Sequence, residues 1–233
     1  NFSKSILYTL GFSSNFYFHF SGLEYGSPES LLKPFLHTWS LSVEEQYYLI
    51  FPIVLLGIFR YFKKYLVLLL MASLLASLFF ADWGSRNFPS STFYFIHTRI
   101  WELLCGSLLA YFEIKIGSRG KEKNLNLIFS LIGLFLIFFS IFYFDDQIFH
   151  PSFLTVIPVL GVILVIWFTH KQDIITKVLS NKIFVGLGLI SYSFYLWHYV
   201  IFSFAKNLDV YFNNNSEKFF LILIAILLSI FTF

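Results

Sequence analysis

An all-α, polytopic transmembrane helical bundle is the fold class this sequence predicts, on three observations. Of its 233 residues 58% are hydrophobic and only 12% are charged, about half the charged share of an ordinary soluble domain. The mean hydropathy is +0.74. The apolar residues also form continuous runs close to the ~20 residues that a helix needs to cross a bilayer, not the weak alternation of a transmembrane barrel.

Seven such runs are predicted as spans: residues 39–59, 65–81, 93–112, 125–144, 153–168, 183–204 and 219–233. Residues 5–20 are aromatic but carry Ser13, Ser14 and Asn15, and read as the tail of a span followed by an interfacial segment. That makes seven to eight spans in one domain covering 1–233, with no linker and no internal repeat. The chain begins without Met inside one apolar stretch and stops at Phe233 inside another, so it is expected to be an internal fragment of a longer protein.

Several classes drop out on composition. One cysteine, Cys105, leaves no internal disulfide framework and no clustered-cysteine zinc site. Nothing near it would stabilise a thiolate, so it reads as packing. The basic residues are scattered through short loops, which argues against nucleic-acid binding. Their position carries more than their sum. Alternate loops hold ten of them (Arg60, Lys63, Lys64, Lys115, Arg119, Lys121, Lys123, Lys171, Lys177 and Lys182) against four on the other side (Lys33, Arg86, Lys206 and Lys218). The positive-inside rule puts the richer side in the cytoplasm, and therefore His37 and the pair Asp145–Asp146 outside.

Three polar constellations interrupt the spans. The first is HTWSLSVEEQYYLIFP at 37–52. On a helix His37, Ser40 and Glu44 fall at i, i+3 and i+7 on one face, and Glu45 points about 100° away. His37 and Glu44 lie roughly 10 Å apart along the axis, so a nucleophile and base pair needs a group from another helix. A charged side chain near a span's centre costs about 2.5–3.5 kcal/mol, which makes the two glutamates functional candidates. The plainer reading is a capped helix start, at Thr38 or Ser40, with Glu44 paired elsewhere. The second constellation is His97, Arg99 and Glu102. Arg99 and Glu102 are three residues apart and can pair within the helix, or Arg99 can face Glu44 or Glu45. The third is ISYSFYLWH at 190–198, where Ser191, Ser193, Tyr195 and His198 form either an interfacial aromatic belt or a mouth that binds hydroxyls and carries protons. Pro158 and Gly161 read as a kink and a close-packing point. From the residues alone, an enzyme and a proton-coupled membrane transporter both fit, with an inactive membrane scaffold as a third class.

Taken together the motifs resemble one family. SSNFYF at 13–18, LHTWSLSVEEQYYLIFP at 36–52, TRIWELLCG at 98–106, the Pro158 and Gly161 helix, and ISYSFYLWH at 190–198 follow the order and spacing of the acyltransferase-3 family. These are membrane-bound O-acyltransferases of the bacterial cell-surface polysaccharide and lipopolysaccharide type. The resemblance implies a partial acyltransferase-3 domain of roughly ten spans in the bacterial inner membrane. It implies transfer of an acyl group, usually acetyl, from acyl-CoA to a hydroxyl of a cell-surface or lipid-linked glycan, with no bound cofactor or metal. The partners it implies are the lipid bilayer, acyl-CoA as donor substrate and the glycan acceptor. On that reading Glu44, Ser40, His37 and Glu45 are the catalytic candidates. Trp39, Tyr47, Tyr48, Arg99, Glu102, Tyr195 and His198 are the candidates for substrate binding. Family members also carry a catalytic histidine and a paired-arginine motif in earlier helices. No stretch here matches either, so the fragment alone is expected to be inactive, with Glu44 orienting the absent histidine.

Overall fold

The computed structural model of the chain describes residues 2–22, 29–116, 123–145, 148–170, 173–208 and 215–233. Arg119, Lys121, Asp146 and Lys171, four of the loop charges named above, lie outside the described residues. Among the described residues all regular structure is helical. In chain order the α-helices are α1 (Phe2–Leu10), α2 (Ser14–Phe20), α3 (Thr38–Tyr61), α4 (Leu66–Asn87), α5 (Pro89–Tyr94), α6 (Ile100–Ile116), α7 (Lys123–Tyr143), α8 (Val156–Phe168), α9 (Ile174–Leu179), α10 (Lys182–Asn207) and α11 (Asn215–Thr232).

Four helical stretches among the described residues are long and apolar enough to cross a membrane: Thr38–Tyr61, Lys63–Asn87, Asn124–Tyr143 and Lys182–Asn207. Their outward side chains are apolar, as at Leu49, Ile53, Phe80, Phe135 and Leu187, which suits lipid and not water. The predicted run 219–233 is the single helix α11, Asn215–Thr232, whereas the remaining runs are shorter or broken. Residues 5–20, read as a tail followed by a second segment, lie in two short helices, α1 and α2, with the chain turning at Gly11–Ser13. The 153–168 run opens with a 3₁₀ turn, and α8 itself has only 13 residues.

The 93–112 run departs furthest from one continuous helix. It divides into the end of α5, a 3₁₀ turn at Ile96–Thr98, and α6. Apolar composition does not register hydroxyl side chains that replace lost helix bonds. Here Thr98 Oγ1 donates to the Thr92 and Phe95 carbonyls at 2.7 and 2.9 Å. Ser77 Oγ donates to the His97 carbonyl at 2.7 Å and accepts the Trp101 amide at 3.2 Å. The break is therefore hydrogen-bonded from within.

The chain divides into two compact units, Asn1–Val43 with Leu179–Phe233, and Glu44–Val178. In the first, α1, α2 and the start of α3 are joined by hydroxyl contacts. Ser14 Oγ lies 2.8 Å from Ser42 Oγ and 3.1 Å from Thr38 Oγ1, which in turn lies 3.1 Å from Thr9 Oγ1. The same unit pairs α10 with α11, where Leu221, Ala225 and Ser229 form a buried i, i+4, i+8 stripe. In the second, Leu66 and Leu70 of α4 pack with Leu104 and Leu108 of α6 and with Tyr47. Trp101 packs with Leu78 and Ala81. In the same unit α7 and α8 touch backbone to backbone at Gly133 and Gly161.

Candidate active site

The residues singled out in the sequence fall into two groups, one in each unit. The first is built around His37, which sits in the turn just before α3. Successive i to i+3 backbone bonds, Leu36 to Lys33 and Thr38 to Phe35, wind that turn. It brings the imidazole against one face of α10, where Tyr195, His198 and Tyr199 fall at i, i+3 and i+4. His37 stacks on Tyr199, with centroids 5.0 Å apart and planes at 25°. It meets Tyr195 edge-on at 5.0 Å and His198 edge-on at 5.6 Å.

His37 is 4% exposed, and neither of its ring nitrogens has a hydrogen-bond partner among the described residues. The carbonyls of Leu196 and Pro34 face the ring and favour its charged form, but neither makes a hydrogen bond of good geometry. Burial outweighs them. It pushes the pKa of His37 down to about 3, with the neighbouring charge of His198 acting in the same direction. His37 is therefore a neutral imidazole at physiological pH, with one lone pair and one N–H unspent. A buried polar group without a partner costs about 1–3 kcal/mol and calls for an explanation in function.

The neighbours of His37 are more tightly bound. Tyr195 donates its hydroxyl to the His37 carbonyl and lies 2.9 Å from Ser40 Oγ. His198 places Nδ1 3.0 Å from the Phe194 carbonyl. As an N–H donor there it holds Nε2 as the acceptor nitrogen. Tyr199 donates to the Ser30 carbonyl at 3.4 Å. The His37–Ser40 end of the first sequence constellation thus meets the third, across more than 150 residues of chain. Tyr199 was not among the candidates, although its place four residues after Tyr195 on the same helix face was available as a signal. Thr38 was read as a cap of the helix start, but its place in the cluster of the Thr9, Ser14 and Ser42 hydroxyls was missed. Thr38 and Ser42, at i and i+4, were the available sign.

The second group is acidic. Glu44 is exposed, and the like charges of Glu45 and Glu102 reach it. Arg99 resolves the choice left open by the sequence in favour of Glu102, its Nη1 lying 3.1 Å from Glu102 Oε1. The same guanidinium bonds the Phe93 carbonyl at 3.4 Å and lies over the Phe93 ring at 5.1 Å. Glu44 has neither hydrogen bond nor ion pair among the described residues. Tyr47 is buried, with its ring stacked on Phe51 at 4.7 Å and its hydroxyl 2.7 Å from Ser107 Oγ. Its ring face is spent on packing, whereas Tyr48 is exposed. Trp39 is half-buried. Among the described residues no three His, Cys, Asp or Glu side chains gather in a way that could hold a metal ion.

Comparison with known proteins bears on these geometries. The profile of a family described as an acyltransferase domain, the acyltransferase-3 type, matches residues 4–233. The chain is 32% identical over 199 residues, 81% of its length, to the peptidoglycan O-acetyltransferase OatA of Listeria monocytogenes. It is 32% identical over 181 residues to an uncharacterised protein of Haemophilus influenzae, covering 73% of each chain. It is 28% identical over 221 residues, 87% of its length, to a Staphylococcus aureus protein provisionally named as an O-acetyltransferase. The matched stretch is 32% of the Listeria protein and 35% of the Staphylococcus one, so the chain spans about a third of each. No solved structure matches the chain significantly. With its order of motifs, its apolar helices and a profile match over nearly its whole length, the chain belongs to the acyltransferase-3 family of membrane acyltransferase domains.

Proposed function

We propose that this chain is part of an integral membrane O-acyltransferase. It moves an acyl group, acetyl by the names of its relatives, from acyl-CoA to a hydroxyl of a cell-surface or lipid-linked glycan in the bacterial inner membrane. The observation that carries this reading is His37, a buried imidazole with both nitrogens unspent, held against His198 and Tyr195 in a chain of this family.

In the reaction the acceptor oxygen forms the new ester bond as the thioester C–S bond breaks. The hydroxyl proton ends on the coenzyme A thiol. Neutral His37, with its ring nitrogens buried, backs the His198 and Tyr195 side chains that would meet the acceptor hydroxyl. With a pKa of about 3 it is too weak a base to carry the proton away at neutral pH. That task falls to the upstream histidine that the family resemblance implies, and within this chain His198 Nε2 is the acceptor at hand. Glu44, exposed and unpaired among the described residues, is available to orient such a histidine or to stabilise its charged form. Tyr48 and Trp39 offer ring surface to a sugar.

The test uses the full-length protein in membrane vesicles with acetyl-CoA, reading alkali-labile acetate on purified glycan. Glu44→Gln should abolish transfer at unchanged membrane abundance, while Glu45→Gln retains part of it. Full activity in Glu44→Gln would remove Glu44 from the mechanism.

A further inference from the structure

Beside the turn that carries His37, the first unit holds a cavity of about 390 Å³, within the size range of small-molecule sites. Its walls include the rings of Phe2, Tyr17 and Phe204, together with Pro34, and its polar groups include Lys33 and Asn207. Asn207 gives both of its amide protons to backbone, to the Leu32 and Ser203 carbonyls at 2.8 Å each. Its Oδ1 remains as an acceptor for a hydroxyl. Lys33 is exposed and has no acidic partner among the described residues, where the ion pairs are Arg86–Asp82 and Arg99–Glu102. Aromatic faces, a hydroxyl acceptor and a lone cation converge here.

The cavity also lies next to the His37 group. Pro34, one of its walls, turns its carbonyl toward the His37 ring. On α10, Phe204 and Asn207 follow His198 by six and nine residues, roughly 9–14 Å along the axis. A glycan whose reacting hydroxyl sat at His198 would extend a neighbouring sugar unit toward this space.

We infer that the cavity is the subsite for an acidic sugar unit of the acceptor glycan, with Lys33 as counter-ion to its carboxylate, Asn207 Oδ1 accepting a ring hydroxyl, and Phe204 and Phe2 as apolar platforms. The inference rests on the acyl-transfer reading above for the identity of the acceptor. A carboxylate suits the single ammonium better than a phosphate monoester, which carries about −1.5 to −2 at neutral pH.

The test is a saturation-transfer NMR titration of the full-length protein in detergent with methyl glucuronide, methyl glucoside and sodium acetate, and no acyl donor. Methyl glucuronide should bind more tightly than the glucoside, and acetate should compete poorly. Lys33→Ala should weaken the glucuronide by roughly two- to fivefold, the range for an exposed ion pair, and leave the glucoside unchanged. Lys33→Glu should turn the preference toward methyl glucosaminide. Equal binding of glucuronide and glucoside, competition by acetate at the same concentration, or indifference to Lys33→Ala would each overturn the subsite. Because the titration contains no donor, it is read separately from the acetate assay with acetyl-CoA: a protein that binds the glucuronide but forms no ester in that assay keeps the subsite and loses the transfer reading. One that acetylates glycan with no glucuronide preference does the reverse.

Discussion

The Tyr195 hydroxyl donates its one proton to the His37 carbonyl, which makes Ser40 the donor in the 2.9 Å contact between Ser40 Oγ and Tyr195. One phenol thus fastens both the turn before α3 and its first helical turn to α10, and with them the ring of His37. Tyr195, read from the sequence as a substrate contact, has its hydroxyl occupied in holding the site together.

Tyr195→Phe should therefore cost about 1 kcal/mol of stability, since it leaves the His37 carbonyl with only the long contacts from the Ser40 amide and hydroxyl, at 3.4 and 3.5 Å. In a double-mutant cycle with Ser40→Ala the two changes should couple by at least about 0.5 kcal/mol. Thermal unfolding in detergent measures both. Additive effects would mean that the Ser40 and Tyr195 hydroxyls do not interact.

His37 gives the protein an acid sensitivity whose sign is fixed. Its pKa is about 3 in the folded chain and about 6.5 when unfolded. Between those values the unfolded chain binds a proton that the folded one refuses, so stability falls as pH falls through that window. The loss is about 1.4 kcal/mol per pH unit below 6.5. His37→Phe keeps a ring against Tyr199 and removes the titration. Relative to wild type, this variant should gain about 2 kcal/mol between pH 8 and pH 5. A difference that stays constant across that range would show that His37 is not buried neutral.

Arg99 and Glu102 form an i, i+3 pair at 3.1 Å, so exchanging the two charges should recover part of the membrane abundance lost in either single variant. The recovery should be incomplete, because Arg99 also binds the Phe93 carbonyl and ring, contacts that a glutamate cannot make. Acyl transfer should stay absent in the exchanged protein if Arg99 serves the site. Immunoblots of membranes and the acetate assay separate these effects, and wild-type abundance in both single variants would dismiss the pair as structural.

Gly133 and Gly161 are reciprocal. A Cβ on Gly133 would lie 2.7 Å from the Gly161 carbonyl oxygen, and one on Gly161 would lie 2.8 Å from that of Gly133. Backbone is the obstacle, so neither clash is relieved by a rotamer change. Alanine at either position should cost about 1–3 kcal/mol and lower the melting temperature. Gly106→Ala, where a Cβ meets nothing within 4 Å, is the control and should be neutral or mildly stabilising.

What the sequence revealed and what it concealed follow one physical line. Long uniform apolar runs announce themselves, so α3, α7 and α10 were legible to within three residues, and α4 except for its last six. The break before α6 was not, because Thr98 and Ser77 stabilise it through hydrogen bonds that leave hydropathy unchanged. The motif around His37 and the one around His198 were each readable, but their meeting depends on packing between segments far apart in the chain. The i, i+3, i+7 spacing joined His37 and Ser40 to Glu44 on one helical face. In the structure His37 and Ser40 turn to Tyr195, whereas Glu44 stays exposed among the negative charges of Glu45 and Glu102. Tyr47 was legible as aromatic but not as buried, since its partner Ser107 lies 60 residues away.

The internally bonded step between α5 and α6 has a consequence for hydration. Irregular backbone inside a membrane ordinarily draws in water to satisfy its amides and carbonyls, and a file of water conducts protons. At Phe95–Trp101 the hydroxyls of Thr98 and Ser77 bind the Thr92, Phe95 and His97 carbonyls and the Trp101 amide. The chain can change direction there with those four groups bonded by its own side chains. The water that such a bend would otherwise recruit is not needed for those four groups.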